Sequence, residues 1–255
     1  MNHDIKTIKN NLVADLREFV TRAGFTDVTF GLSGGVDSAM VLVLAAEALG
    51  AEHVHTMMMK TKYTSQLSID LANEISKNVG NPHETIDIQP LVDMATRTLP
   101  FVPRNNVTLE NLQSRIRGMI CMAYSNDFDR MVLACGNKSE IMTGYCTLYG
   151  DTCGALAPLG DLYKTEVYEM AALYPQIPLR IITRPASAEL AHGQKDTDSL
   201  PGYDALDPIL RHMEHGTESE IPFDQNQLHA FVTKRCNAAA FKKIQLPPVI
   251  KIRSK

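Results

Sequence analysis

The chain contains no tryptophan, only five cysteines, and no apolar run of the length that a membrane-spanning helix requires. Each shortage removes a class. Without a long apolar run, a helical membrane protein is excluded as an expectation. Cys121, Cys135, Cys146, Cys153 and Cys236 are odd in number and contain no C-x-x-C pair. They therefore argue against a disulfide framework or a structural zinc site and for reduced, mostly buried thiols. His212 and His215 stand three apart on an expected helix and could share a metal, but a solvated helix face is the better reading. Basic excess is missing too: the formal net charge is −4, which supplies no field to draw nucleic acid or anionic lipid. The opening residues lack the apolar core and small-residue cleavage site of a secretory signal, so a cytoplasmic location is expected.

What is present is an ordinary globular composition, 44% hydrophobic and 21% charged over 255 residues. One domain spanning 1–255 is the expectation. Apolar residues at helical spacing (Ile5, Ile8, Leu12, Leu16, Phe19) open the chain with an amphipathic helix from Asp4 to Arg22. A short buried strand, Val28 to Leu32, then leads through a glycine turn into an apolar helix, Ser38 to Leu49. The alternation continues with a strand at Val54–Met59, a helix near Ser65–Val79 and a strand at Glu84–Ile88. A helix over Leu109–Tyr124 and a strand at Met131–Cys135 follow.

Such β-α alternation predicts an α/β fold, a doubly wound and mostly parallel sheet with helices on both faces. Ligands in such sheets bind at the carboxyl ends of the strands. That singles out two loops, Ser33–Ser38 and Gly136–Asp151. The polar stretch Ala188–Pro201, with Gly193 inside it, reads as a mobile surface loop.

The first of these loops carries the clearest chemistry. Ser33-Gly34-Gly35-Val36-Asp37-Ser38 lies between a strand and a helix. Its glycines let backbone approach a ligand, and the helix start offers unpaired N–H groups to an anion. The terminal Lys-Ser or Lys-Thr of a Walker loop is missing. A carboxylate, Asp37, stands there instead, which makes sense beside phosphates chiefly as a Mg²⁺ ligand. A pyrophosphate with Mg²⁺ is the guest this pattern implies.

S-G-G-V-D-S is the signature of the PP-loop ATP pyrophosphatases. Within that group the chain resembles the NAD⁺ synthetases along nearly its whole length. Glu110-Asn111-Leu112-Gln113-Ser114-Arg115-Ile116-Arg117 is similar to the family's E-N-L-Q-x-R-x-R. Gly136-Asn137-Lys138-Ser139-Glu140 and the run Gly144 to Asp151 resemble its G-N-K-S-E and G-Y-x-T-x-Y-G-D. Pro158 to Thr165 and Gly193 to Leu200 complete the set in the family's order. Leu148 stands where many members carry Lys, and Ala155 where they carry an acid.

The resemblance implies ATP-dependent amidation of deamido-NAD through an acyl-adenylate, with release of pyrophosphate and AMP. Ammonia is the expected nitrogen donor, because no residues ahead of the first helix could carry a cysteine glutaminase. It further implies ATP contacts from Ser33, Gly34, Gly35, Val36, Asp37, Ser38, Lys164 and Ser187, with Mg²⁺ on Asp37 and Glu140. Catalytic roles are expected for Lys164, which supplies the charge missing from the loop, and for Asp151, as the acid that receives ammonium. Substrate contacts fall to Asn111, Arg115, Arg117, Tyr145, Asp151, Lys242 and Lys243, at the interface of a homodimer.

On the residues alone, plainer readings stand beside these. Arg115 and Arg117 do not share a helix face and read equally as solvated charges. Glu140 suits a helix N-terminus, Tyr145 suits a core, and Asp151 suits a turn that it stabilises itself. The alternatives in function are another PP-loop adenylating enzyme, such as a GMP synthetase or tRNA sulfurtransferase, and a non-catalytic nucleotide-binding homologue.

Overall fold

The computed structural model describes residues 4–216, 226–245 and 248–251. Four strands form one parallel sheet: β1 (Asp27–Gly31), β2 (Val54–Lys60), β3 (His83–Asp87) and β4 (Arg130–Val132). Their order is β3-β2-β1-β4. From β1 the chain builds outward through β2 to β3, then returns to place β4 on the opposite side of β1. The reversal leaves a crevice above the carboxyl ends of β1 and β4. The pairing that was expected to run on to Cys135 stops at Val132. There the chain changes partner, and Ala134 donates to Leu156 O at 2.8 Å rather than to β1.

Helices cover both faces of the sheet. On one lie α1 (Ile5–Arg22), α2 (Val36–Leu49), α3 (Gln66–Val79) and, later in the chain, α7 (Lys164–Ala171). They pack on Val28, Phe30, Val54, Met58 and Met131. The other face carries α4 (Gln89–Thr98) and α5 (Asn106–Phe128) against Met57, Met59 and Val132. The residues of β2 thus alternate sides, as the pleat requires. Helix α2 is apolar nearly all round and fully enclosed over Ala39–Ala45, which makes it the central helix of the core.

A third cluster gathers Tyr163, Leu206, Ile209, Leu210, Val232 and Cys236. It joins α9 (Tyr203–His215) and α10 (Asn226–Ala238) to the region of α6 (Lys138–Thr143). Short helices α8 (Leu179–Thr183) and α11 (Ala240–Lys243) complete the described chain. No helix among the described residues is long and apolar enough to cross a membrane.

Two departures from the sequence reading bear on the site. Helix α2 starts at Val36, not Ser38, so Asp37 sits inside its first turn. Helix α4 was not expected at all; Pro90 stands in its first turn and Val92 alone among its residues is buried.

Candidate active site

A cavity of about 300 Å³ opens above the carboxyl ends of β1 and β4 and is walled by both suspected loops. The first loop is shaped by its own hydroxyls. Ser33 N donates to Ser38 Oγ at 3.1 Å, and Ser38 Oγ donates to Gly35 O at 3.2 Å. Gly34 has φ +76°, and a Cβ there would lie 2.4 Å from Ser68 O. Only glycine lets the loop lie this close to the first turn of α3.

Asn137 joins the second loop to the first. Its Oδ1 accepts from Glu140 N at 3.0 Å while Glu140 Oε2 accepts from Asn137 N at 3.1 Å, a reciprocal cap on α6. The free end of the same amide, Nδ2, donates to Asp37 Oδ1 at 2.8 Å. Capping of one helix therefore fixes the carboxylate on another.

Lys164 completes the centre. Its ammonium lies 2.5 Å from Asp37 Oδ2 and 3.3 Å from Glu140 Oε1, and its side chain is 2% exposed. A cation in the first turn of α7 opposes the helix dipole, so something must hold it. Asp207 helps by accepting from Thr165 N at 2.9 Å and from Ser139 Oγ at 2.6 Å, while Ser139 Oγ accepts from Lys164 N at 2.9 Å. Burial works against the Lys164 ammonium, but the Asp37 and Glu140 carboxylates more than reverse this and hold its pKa above the usual lysine value. Burial pushes the Glu140 carboxyl up to about 8, against the pull of Lys164.

Asp151 forms the far wall. Its Oδ1 accepts from Thr147 N at 2.7 Å and Ser114 Oγ at 3.0 Å, while its own N–H donates to Ser114 Oγ at 3.0 Å. Its surface is open to the cavity, yet the enclosing protein displaces bulk water and raises its carboxyl above the ordinary range, against the Thr147 and Ser114 bonds. Gly150 permits this approach, since a Cβ on it would meet Ser114 Oγ at 2.3 Å.

Of the expected site residues, Ser33, Gly35, Val36, Asp37, Ser38, Arg117, Glu140, Tyr145, Asp151, Lys164 and Ser187 line this one cavity. Gly34 turns its carbonyl to Arg184 instead. The two helix arginines part company. Arg117 donates from Nε to Met59 O at 3.1 Å inside the cavity, where burial brings its pKa down to about 10. Arg115 is exposed and bonds Leu148 O at 3.2 Å. Asn111 accepts from Thr147 Oγ1 at 2.6 Å. Lys242 donates to Gly144 O at 2.8 Å and Cys146 O at 2.6 Å, and Lys243 is exposed beside it.

Several cavity residues were not foreseen. Arg184 donates to Ser68 Oγ and to Glu189 Oε1, both at 2.9 Å, and Glu189 in turn accepts from Ser65 N and Oγ at the start of α3. The segment 188–201 is therefore docked at one end through Glu189 and at the other through buried Asp196 and Leu200. The N-x-x-E spacing of Asn137 and Glu140 could have signalled the cap. No local pattern announces the others.

The likeness to known proteins agrees with this geometry. The model of the family described as NAD synthase matches residues 8–245. The glutamine-dependent NAD(+) synthetase of Acinetobacter baylyi is 48% identical over 215 residues, 81% of this chain and 40% of that protein. Its counterpart from Synechocystis is 40% identical over 98% of this chain and 47% of its own length. The chain thus spans less than half the length of these curated relatives. Among solved structures, the NH3-dependent NAD synthetase of Campylobacter jejuni superposes with TM-score 0.81 at 28% identity, covering 98% of this chain and all of that one. The glutamine-dependent enzyme of Acinetobacter baumannii, solved with ADP, matches with TM-score 0.69 at 38% identity over 98% of this chain and 48% of that one. With a family model matched almost end to end, and a glycine-hydroxyl loop, two carboxylates and a lysine gathered at the switch point of a parallel sheet, this chain belongs to the NAD synthase family.

Proposed function

We propose that the chain amidates the nicotinic acid carboxylate of deamido-NAD at the expense of ATP, giving NAD⁺, AMP and pyrophosphate. The observation that carries this is the convergence of Asp37, Glu140 and Lys164 beside the amides at the start of α2. A carboxylate is a poor acyl electrophile and must first be activated. Attack of its oxygen on the α-phosphorus of ATP expels pyrophosphate and leaves an acyl-adenylate, from which an amine displaces AMP. Lys164, held by Asp37 and Glu140, and the N–H groups at the start of α2 would face the charge that gathers on the departing pyrophosphate.

The donor set suits Mg²⁺. Asp37 and Glu140 bring hard carboxylate oxygens to one point, already filled by a cation in the form of Lys164. Bound there, the ion would neutralise phosphate charge. Asn137 holds Asp37 in place for either occupant.

Ammonia is the nitrogen source in this reading. Glutamine hydrolysis through a cysteine nucleophile needs a thiolate, and burial raises the pKa of every cysteine of the chain, to about 12 at Cys121 and Cys146. Asp151 stands at the cavity wall as the acid that holds ammonium and takes its proton. A homodimer through the α4–α5 face fits the exposed Met94, Met119, Met122 and Phe128.

The test is direct. Purified chain with MgATP and ammonium should release pyrophosphate and AMP when deamido-NAD is added. Nicotinate mononucleotide belongs in the same assay, because the NMN synthetase of Francisella tularensis superposes with TM-score 0.83 at 25% identity. No pyrophosphate with either substrate would refute the proposal; release with the mononucleotide alone would move it to the shorter substrate.

A further inference from the structure

Asp196 is 4% exposed and is placed by its backbone, whose N–H donates to Ala186 O at 3.0 Å. Its carboxylate receives two tyrosine hydroxyls from separate parts of the chain. Tyr145, from the loop after α6, donates to Oδ1 at 3.1 Å, and Tyr203, at the start of α9, donates to Oδ2 at 2.8 Å. Both oxygens are therefore occupied, one by each ring. The face of Tyr203 lies over the Lys164 ammonium, with Nζ 5.2 Å from the ring centroid. Tyr145 and Asp196 themselves line the cavity. One buried carboxylate thus links the segment 188–201, the loop bearing Tyr145 and the lysine at the centre of the site.

We infer that Asp196 is a positioning residue: through the two tyrosine hydroxyls it fixes the Tyr203 ring against Lys164 and the Tyr145 ring at the cavity wall, so that docking of the 188–201 segment and placement of Lys164 are one event. The physics favours the ring. An ammonium within about 6 Å of an aromatic face is attracted by the ring quadrupole, more strongly when water is excluded. A phenol that donates to a carboxylate is polarised toward its oxygen and becomes a better partner for that cation. The carboxylates of Asp37 and Glu140 draw Lys164 from one side, and the Tyr203 face bounds it on another. Asp196 itself touches no reacting atom.

The inference rests on the proposed reaction for its kinetic consequence, so the experiment includes an arm that needs no turnover. In that arm, the side-chain ammonium and Hε resonances of Lys164 are assigned with Lys164→Arg and followed by NMR in the full chain. The Tyr203 ring current should displace them in the wild type. Tyr203→Leu should cut the displacement to what the Tyr168 ring, 5.9 Å from Nζ, contributes, and Asp196→Asn should reduce it in part. In the kinetic arm, Asp196→Asn and Tyr203→Phe should each lower kcat for pyrophosphate release about tenfold while KM for ATP stays within about twofold. Because both break one link, the double variant should be no slower than the slower single. Should Asp196→Asn fail to fold, Tyr203→Phe, which removes a single oxygen, carries both arms. Lys164 resonances unchanged in Tyr203→Leu, or additive losses in an active enzyme, would overturn the inference. A wild type that releases no pyrophosphate refutes the proposed reaction instead and leaves the NMR arm to decide this one.

Discussion

Lys164 Nζ lies 2.5 Å from Asp37 Oδ2, and the two residues are 127 positions apart in the chain. The pair joins the first turn of α7 to the first turn of α2, with Glu140 from α6 as a third member at 3.3 Å. Three helix starts therefore meet at one charge cluster, where a cation and an anion guest can both be held.

Removing the lysine should expose what it balances. Lys164→Met leaves two mostly buried carboxylates facing each other, and breaking such a pair costs about 3 kcal/mol or more. Its melting temperature should fall. Mg²⁺ without nucleotide should then stabilise the variant more than the wild type, because the vacated point is lined by carboxylate oxygen. Thermal melts with and without Mg²⁺ read this directly; no difference in the Mg²⁺ response would mean that the two carboxylates do not form a cation site.

Asp37→Asn and Glu140→Gln should each slow pyrophosphate formation by about 100-fold, the scale of losing one preorganised electrostatic group. Each also removes a partner of Lys164. Turnover near the wild-type value at saturating Mg²⁺ in either variant would remove that residue from the mechanism.

Gly34→Ala tests the loop itself. The φ of +76° costs an L-residue about 1–2 kcal/mol, and the new methyl would overlap the backbone of Ser68. The melting temperature should drop by at least about 4 °C, and ATP affinity should drop with it. A variant as stable as the wild type would show that the loop is looser than its contacts suggest.

Stability should also respond to pH through His83 on β3. Its Nδ1 pairs with Thr56 Oγ1 at 2.8 Å, and its Nε2 is buried without a partner among the described residues. Burial lowers its pKa below the ordinary 6.5, outweighing Thr56 and Glu84. The unfolded chain therefore takes up this proton first as pH falls, so stability is lost below about pH 6.5 and down to the folded pKa. His83→Gln should flatten that part of the pH–stability curve in urea titrations. An identical slope in wild type and variant would assign the acid sensitivity to other groups.

Much of this site could be read from the sequence, for reasons that are local. The turn Ser33–Gly35 follows an apolar strand and precedes an apolar helix, and its glycines announce a special backbone. Glu140 and Lys164 were reached through motif blocks, and they do fall beside Asp37. What stayed hidden is long-range. The Asn137 amide crosses 100 residues to Asp37, and Asp196 reaches back 51 residues to Tyr145; neither contact leaves a periodic trace. Lys242, expected among the substrate contacts, holds the carbonyls of Gly144 and Cys146 with its ammonium, a grip it would have to release to meet a substrate.

The nitrogen source separates the physical argument from the likeness to longer relatives. In neutral water ammonia is mostly ammonium, which has no lone pair, so the site must hold a cation and then accept a proton from it as attack proceeds. Asp151 suits both tasks. Its Oδ1 is fixed by Thr147 and Ser114, its surface opens on the cavity, and burial raises its carboxyl above the ordinary carboxylate range against those two bonds. The same two bonds fit a purely structural role, which the following measurement distinguishes. Asp151→Asn keeps an acceptor for Thr147 N and Ser114 Oγ but loses the charge. It should lower the amidation rate at limiting ammonium by about 100-fold, leave ATP binding nearly unchanged, and recover in part as pH rises and free ammonia becomes available. Glutamine should not replace ammonium for this chain, since burial disfavours the thiolate at each of its five cysteines. A normal ammonium dependence in Asp151→Asn would pass the role to another group, and efficient use of glutamine by the pure chain would overturn the choice of donor.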